Sequence, residues 1–227
     1  MYIAMYTYVQ DSPGWAFRYN FLERSLETFL KTDFPENTHI VISDDNSKDK
    51  RVKKLLCGIQ EPKNTTIEFI FRDQRAGCDR NMVSTMRHCF SKTNDRFIIT
   101  CDSDVLYNPQ WVRKLIESKE SMPKDAKIGM LTCFDTKSHK VIRSINDFVN
   151  EKKTVGGFCA FVNRDILMDP KLNLETWDWS FCAISKDKGY KFYCTKLSYV
   201  EHMGKGKSGE GKSWDVARNF VGLENGI

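Results

Sequence analysis

Short β-rich apolar runs alternate with amphipathic helical windows along almost the whole chain, and this alternation restricts the fold more than any other feature. The runs at Tyr2 to Val9, His39 to Ser43, Thr66 to Arg72, Arg96 to Cys101, Lys127 to Cys133, Gly157 to Val162 and Lys191 to Tyr199 are rich in Ile, Val, Phe, Tyr and Thr and read as strands. Strands this apolar need cover on both faces, which predicts an α/β sheet between two layers of helices. Phe17, Phe21, Leu22, Leu26, Phe29 and Leu30 share one face at helical spacing, and Pro35 closes that segment. Ser47 is placed to cap a second helix through Leu56, Asn108-Pro109 opens a third, and Met82, Met86, Cys89 and Phe90 mark the core stripe of a fourth. Asp135 to Thr154 is polar and weakly periodic, and is expected to be a loop with little regular structure. Gly204 to Gly211 has linker composition, followed by a short amphipathic helical segment from Trp214 to Leu223.

A chain of 227 residues fits one α/β domain with a substantial core. The net charge of +5 is spread over 35 basic and 30 acidic residues without a basic stripe, which argues against nucleic acid as a partner and suits a small anionic ligand. Eight cysteines stand singly, mostly in apolar runs, with no C-x-x-C pair, so they read as buried, reduced thiols. With no basic leader at the N-terminus and no apolar stretch near the roughly 18 residues of a membrane span, a soluble cytoplasmic protein without an integral membrane segment is expected.

Three strands end in acid: Val9-Gln10-Asp11, Ile42-Ser43-Asp44-Asp45-Asn46-Ser47 and Thr100-Cys101-Asp102-Ser103-Asp104. In open α/β sheets, ligands bind beyond the carboxyl ends of strands. Asp102 and Asp104 follow the apolar run Phe97-Ile98-Ile99, where two carboxylates repel each other unless a cation sits beside them. Hard oxygen ligands on a rigid strand end suit Mg²⁺ or Mn²⁺, with a substrate diphosphate completing the octahedron. A D-x-D pair by itself is more often a solvated acidic turn; its place after the fourth strand is what favours the metal. Arg72, Arg75 and Arg80 follow the third strand, where planar forks can clamp phosphate or fix Asp44, unless they are simply solvated.

The order of these features resembles the GT-A glycosyltransferases, especially the family 2 type. The resemblance rests on Asp44-Asp45-Asn46-Ser47 after strand two, Gly77-x-x-x-Asn81 opening a helix, and Asp102-x-Asp104 after strand four. Gly156-Gly157-Phe158-Cys159-Ala160 is similar to the strand lining the family's donor and acceptor pocket. Glu175-Thr176-Trp177-Asp178-Trp179 stands where the family has its acidic catalytic motif, and Tyr199 to Gly204 resembles the late strand whose histidine ligates the metal. The match covers roughly residues 1–204. It implies a GT-A, Rossmann-like, mostly parallel sheet flanked by helices, with a smaller antiparallel acceptor-side part. The nucleotide-binding half is expected at about 1–106, the acceptor half at about 107–204, and a flexible basic flap or tail at 205–227.

The implied reaction moves a sugar from a nucleotide diphosphate, UDP by family habit, to a hydroxyl of a carbohydrate or glycoconjugate, by single displacement with inversion. Thr7 and Tyr8 are then expected at the nucleotide base, with Asp44 or Asp45 on the base or ribose; Asp45 has the rival role of capping the helix after it. Asn81, Ser103 and Gly157 fall on the donor side. Asp104, with Asp102 and His202, would hold Mn²⁺ or Mg²⁺. The family's adjacent Glu-Asp pair is missing, which leaves the base open between Glu175 and Asp178, with Asp178 favoured. Trp177 and Trp179 offer aromatic faces to an acceptor sugar, with core packing as the rival role for one of them.

Three other readings compete. Gly206 to Ser213 fits the Walker A pattern, but a P-loop nucleotide-binding protein needs most of its sheet downstream, and 14 residues remain. A nucleotidyltransferase also uses strand-end carboxylates and metal, but its basic glycine-rich loop after strand one is replaced here by Gln10 to Trp15. A sugar-binding module without activity would keep the fold and the tryptophans without donor turnover.

Overall fold

The computed structural model describes residues 1–12, 16–203 and 216–223. Its nine-stranded sheet runs in the order β3-β2-β1-β4-β9-β6-β10-β8-β7. Strands β1 (Tyr2–Thr7), β2 (Thr38–Asp44), β3 (Thr65–Phe71) and β4 (Phe97–Asp102) are mutually parallel, and β6 (Ile128–Thr132) and β10 (Lys191–Thr195) form a second parallel pair. Between them β9 (Ala160–Asn163) runs antiparallel to both β4 and β6. A two-stranded sheet of β5 (Val105–Tyr107) and β11 (Val200–His202) lies apart. From β1 the chain steps outward to β2 and β3, then returns to lay β4 on the other side of β1. That reversal is the switch point at which a parallel sheet opens a crevice.

Two cores sandwich the sheet, because alternate residues of a strand face opposite sides. From β1, Ile3 and Met5 pack with α1 (Ala16–Phe29), α2 (Lys50–Cys57) and α4 (Trp111–Glu120), whereas Ala4 and Tyr6 pack with α3 (Cys78–Ser91), α5 (Arg164–Leu167) and α6 (Trp177–Asp187). The expected layered α/β arrangement is therefore present. Gly77 stands at the N-cap of α3 with φ of 94°, a conformation that costs glycine nothing and side chains much.

Local details differ from the sequence reading. Asp49 rather than Ser47 caps α2, accepting from Arg51 N, because Ser47 is already bonded to Asp44. α4 starts at Trp111, with Asn108 Oδ1 accepting from Gln110 N as a turn before it. The segment expected to be a loop carries a hairpin, β7 (Val141–Ser144) and β8 (Val149–Lys152), added to the sheet beside β10. Its strands are four residues each and mix charged with apolar side chains, so alternation gave no signal; pairing with β10 supplies what propensity lacked. Of the tail, 204–215 and 224–227 lie outside the described residues, including the Walker-like Gly206 to Ser213. Residues 216–223 are not helical: Ala217 bridges Thr136, Phe220 bridges Ser198, and Arg218 N donates to Asp135 O at 2.7 Å. Cys57 and Cys78 are exposed, while Cys89, Cys101, Cys133, Cys159 and Cys194 are buried; none of the eight is in a disulfide. No helix among the described residues is long and apolar enough to cross a membrane.

Candidate active site

The parallel register sets Tyr6 of β1 beside Asp102 of β4 at the switch point, on the face towards α3. The chain then bends through half-buried Ser103 to Asp104 and into β5. That bend is braced from below. Tyr107 Oη donates to the Asp102 carbonyl at 2.5 Å, Ser25 Oγ of α1 donates to the same oxygen at 3.5 Å, and Val105 N donates to Ser25 Oγ at 3.4 Å. β11 pairs with β5 so that His202 opposes Val105, and Met203 N donates to Asp104 O at 2.9 Å. Side chains separated by 98 residues in sequence thereby meet: His202 Nε2 lies 3.4 Å from Asp104 Oδ2.

The two carboxylates have different environments. Burial, then the neighbouring Asp104 charge, pushes Asp102 well above the usual carboxylate range, and its Oδ1 is enclosed without a hydrogen-bond partner. Burial acts on Asp104 as well, but hydrogen bonding to His202 and the charges of His202 and Arg18 outweigh it and hold Asp104 below the usual range. Arg18, from the first turn of α1, donates from Nη1 to Asp104 Oδ2 at 2.7 Å. Sequence gave no hint of Arg18, because nothing in its local pattern relates it to a residue 86 positions away.

Among the described residues, no group of three His, Cys, Asp or Glu side chains is arranged to hold a metal ion. The expected set of Asp102, Asp104 and His202 is thus brought together without forming a closed protein cage. An enclosed, unpartnered carboxylate oxygen beside a second carboxylate nevertheless fits a hard divalent cation that takes its remaining ligands from substrate.

An open cleft of about 280 Å³ borders Asp102. Tyr6 and Asp102 line one side, and Glu175, Asp178 and Trp179 line it from the start of α6. Trp179 is 75% exposed and presents its indole there, whereas Trp177 is 2% exposed and packs edge-on against Phe181. Trp177 is therefore core, and of the two tryptophans only Trp179 is exposed. Trp177 also lies so close to Gly157 that a Cβ at 157 would fall 2.6 Å from its Cζ2, so Gly157 serves the contact between α6 and the segment leading into β9. The Asp178 carboxylate is exposed and accepts from Trp179 N at 2.8 Å. Glu175 pairs instead with Arg80 at 2.9 Å, linking α6 to α3 across an exposed edge where such a pair adds little stability.

On the β1–β2 side the outcome is mixed. Thr7 is buried with Oγ1 unpartnered, and Tyr8 carries the Arg75 guanidinium 4.2 Å above its ring while donating to Gln10 Oε1 at 2.6 Å. Asp44 accepts from Ser47 Oγ at 2.5 Å and Ser47 N at 3.0 Å; burial still raises its pKa. Asn46, at φ of 58°, makes that turn possible, since asparagine tolerates the left-handed region. Asp45 does not cap α2; its carboxylate accepts from Ala76 N at 2.7 Å and Gly77 N at 2.9 Å, fixing the approach to α3. Asn81 is buried and accepts from Ser43 Oγ at 2.7 Å and Arg72 Nε at 2.6 Å, and Arg72 also bonds Ser84. Asn81 and Arg72 thus lock β2 and β3 to α3 rather than reaching outward. Tyr6 also lines the cleft, and nothing in its local pattern distinguishes it from the other apolar residues of β1.

This architecture is that of the GT-A glycosyltransferases. Similar solved structures are the mannosyltransferase PcManGT from Pyrobaculum calidifontis in complex with GDP-Man and Mn²⁺ (TM-score 0.57, 16% identity, 84% of this chain and 53% of that one) and S. aureus TarS 1-349 in complex with UDP (0.53, 13%, 88% and 60%). A third is GalNAc-T7 with UDP, GalNAc and Mn²⁺ (0.58, 12%, 88% and 43%). The chain spans only about half the length of these proteins. No curated protein matches it. The family model for glycosyl transferase family 2 matches residues 16–179, and the chain belongs to that family.

Proposed function

We propose that this domain transfers a sugar from a nucleotide diphosphate, with UDP the favoured carrier, to an acceptor hydroxyl by single displacement with inversion. The observation that carries the reading is the Asp102–Asp104 pair at the switch point, with one enclosed oxygen of Asp102 unpartnered and Asp102 bordering a cleft whose other wall brings an exposed carboxylate and an exposed indole. That all three similar structures hold a nucleotide or nucleotide sugar, two of them with Mn²⁺, supports the donor class and the metal.

Asp104, Asp102 and His202 would hold Mn²⁺ or Mg²⁺, which would supply positive charge to neutralise the departing diphosphate. Half-buried Tyr8 and exposed Arg75 form a stacked pair beside the Asp44–Ser47 turn, suited to a planar base. Asp178 removes the proton from the acceptor hydroxyl as its oxygen attacks the anomeric carbon. Trp179 stacks on the acceptor ring and aligns that hydroxyl, with the carbohydrate or glycoconjugate entering from the open mouth of the cleft. Glu175 is held by Arg80 and positions the start of α6. Eight cysteines, none in a disulfide, favour a reducing, cytoplasmic setting.

Calorimetry of UDP with Mn²⁺, with EDTA, and with Asp104→Ala tests the reading. Metal-dependent binding lost in the variant supports it. Metal-independent binding of ATP, abolished by Lys212→Ala, overturns it in favour of a P-loop.

A further inference from the structure

We propose that Arg18 is the resident cation of the carboxylate pair and couples metal binding to donor binding, holding Asp104 until a nucleotide diphosphate arrives with the divalent ion. The inference rests on the donor-site reading above. Arg18 Nη1 meets Asp104 Oδ2 at 2.7 Å with the two side chains only 18% and 10% exposed, so the pair is shielded from salt. The same oxygen lies 3.4 Å from His202 Nε2. The carboxylate on which a metal would depend is thus already engaged by a permanent positive charge, while Asp102 keeps an unpartnered oxygen.

A divalent ion arriving alone has to expel the guanidinium from Asp104 and then remain beside a like charge. With a diphosphate present, the guanidinium exchanges one anion for another, and its planar fork matches phosphate oxygens as well as it matched the carboxylate. Metal and nucleotide should therefore bind with positive coupling, and linkage makes that coupling equal in both directions. If Arg18 holds Asp104 in roughly nine molecules of ten, the free protein binds metal about tenfold more weakly than the open site would.

The test is Mn²⁺ calorimetry on the full chain, with and without UDP, for wild type, Arg18→Met and Arg24→Met. Arg24 lies exposed on the same helix, so its variant removes one charge without touching Asp104. Arg18→Met should bind Mn²⁺ about tenfold more tightly than wild type in the absence of UDP, and the enhancement produced by UDP should shrink by about the same factor. Arg18→Gln repeats the measurement if the methionine variant does not fold. Unchanged Mn²⁺ affinity in the Arg18 variants, or an equal gain in Arg24→Met, overturns the proposal while leaving the donor site standing. Failure of wild type and all variants to bind Mn²⁺ even with UDP sinks the donor-site reading, and this inference with it.

Discussion

Gly157→Ala puts a methyl group in place of a hydrogen where the backbone has no room for it. The new Cβ would lie 2.6 Å from Trp177 Cζ2 and 3.0 Å from Cη2, where ordinary contact begins at 3.4 Å, so the indole has to retreat by about 0.8 Å. Trp177 is buried against Phe181, their ring centroids 5.9 Å apart, and cannot swing into solvent without leaving the core. Overpacking of this kind costs about 1–3 kcal/mol. For a chain of this size that lowers Tm by roughly 2 to 12 °C. The functional effect should be larger, because Trp177 is the first residue of α6 and the next two are Asp178 and Trp179. A displacement near 1 Å can cost about 100-fold in rate. Thermal melting, UDP calorimetry and initial rates with donor and acceptor measure the three consequences separately: a lower Tm, near-normal UDP binding and a large loss of turnover. A Trp177→Leu/Gly157→Ala double variant should lose less stability than the sum of its singles, since the clash is shared. If Gly157→Ala melts within about 1 °C of wild type and turns over normally, the close approach does not position α6.

Three further outcomes are expected. Asp102 has its carboxyl pKa raised by burial, so it favours the folded state fully below the ordinary carboxylate range near about 4 and loses that contribution as pH rises towards its folded value. Asp102→Asn should therefore melt higher than wild type at neutral pH in EDTA, with the gap closing in acid, while losing metal-dependent UDP binding; a gap that widens in acid contradicts the assigned shift. Lys152 of β8 donates to Asp135 Oδ1 at 2.5 Å with both side chains almost fully buried, and Arg218 Nε stands 3.5 Å from the other oxygen. Lys152→Met should cost about 3–5 kcal/mol in urea unfolding and Lys152→Met/Asp135→Leu distinctly less, because the uncompensated buried charge is then gone; equal losses would rule out that explanation. Asp178→Asn should reduce kcat by about 100-fold or more with UDP affinity and Tm nearly unchanged, because the side chain is exposed; a normal kcat removes Asp178 as the base.

The sequence by itself determined the layered sheet and the place of the acidic turns, since both depend on local pattern. Apolar runs of strand length fixed β1 to β4, β6, β9 and β10 to within a few residues, and the polar residues where β2 and β4 stop mark Asp44, Asp45, Asp102 and Asp104. The late strand expected at Tyr199 to Gly204 is β11, which ends at His202. Tertiary structure decided everything that depends on which residues meet across the fold. The hairpin of β7 and β8 exists because β10 offers it an edge, and short strands of mixed polarity carry no signal without that partner. Trp177 and Trp179 are two positions apart on a helix, so one turns inward to Gly157 and the other outward to the cleft, and only the placement of the segment before β9 against α6 says which. The arginines show the same division: by position Arg72, Arg75 and Arg80 could clamp phosphate, fix Asp44 or simply be solvated, and the fold spends Arg72 on Asn81 and Ser84 and Arg80 on Glu175. The cation that does meet Asp104 is Arg18, delivered by packing α1 beneath the β4–β5 bend, a contact that no local pattern encodes because charge pairing depends on distance in space and not along the chain.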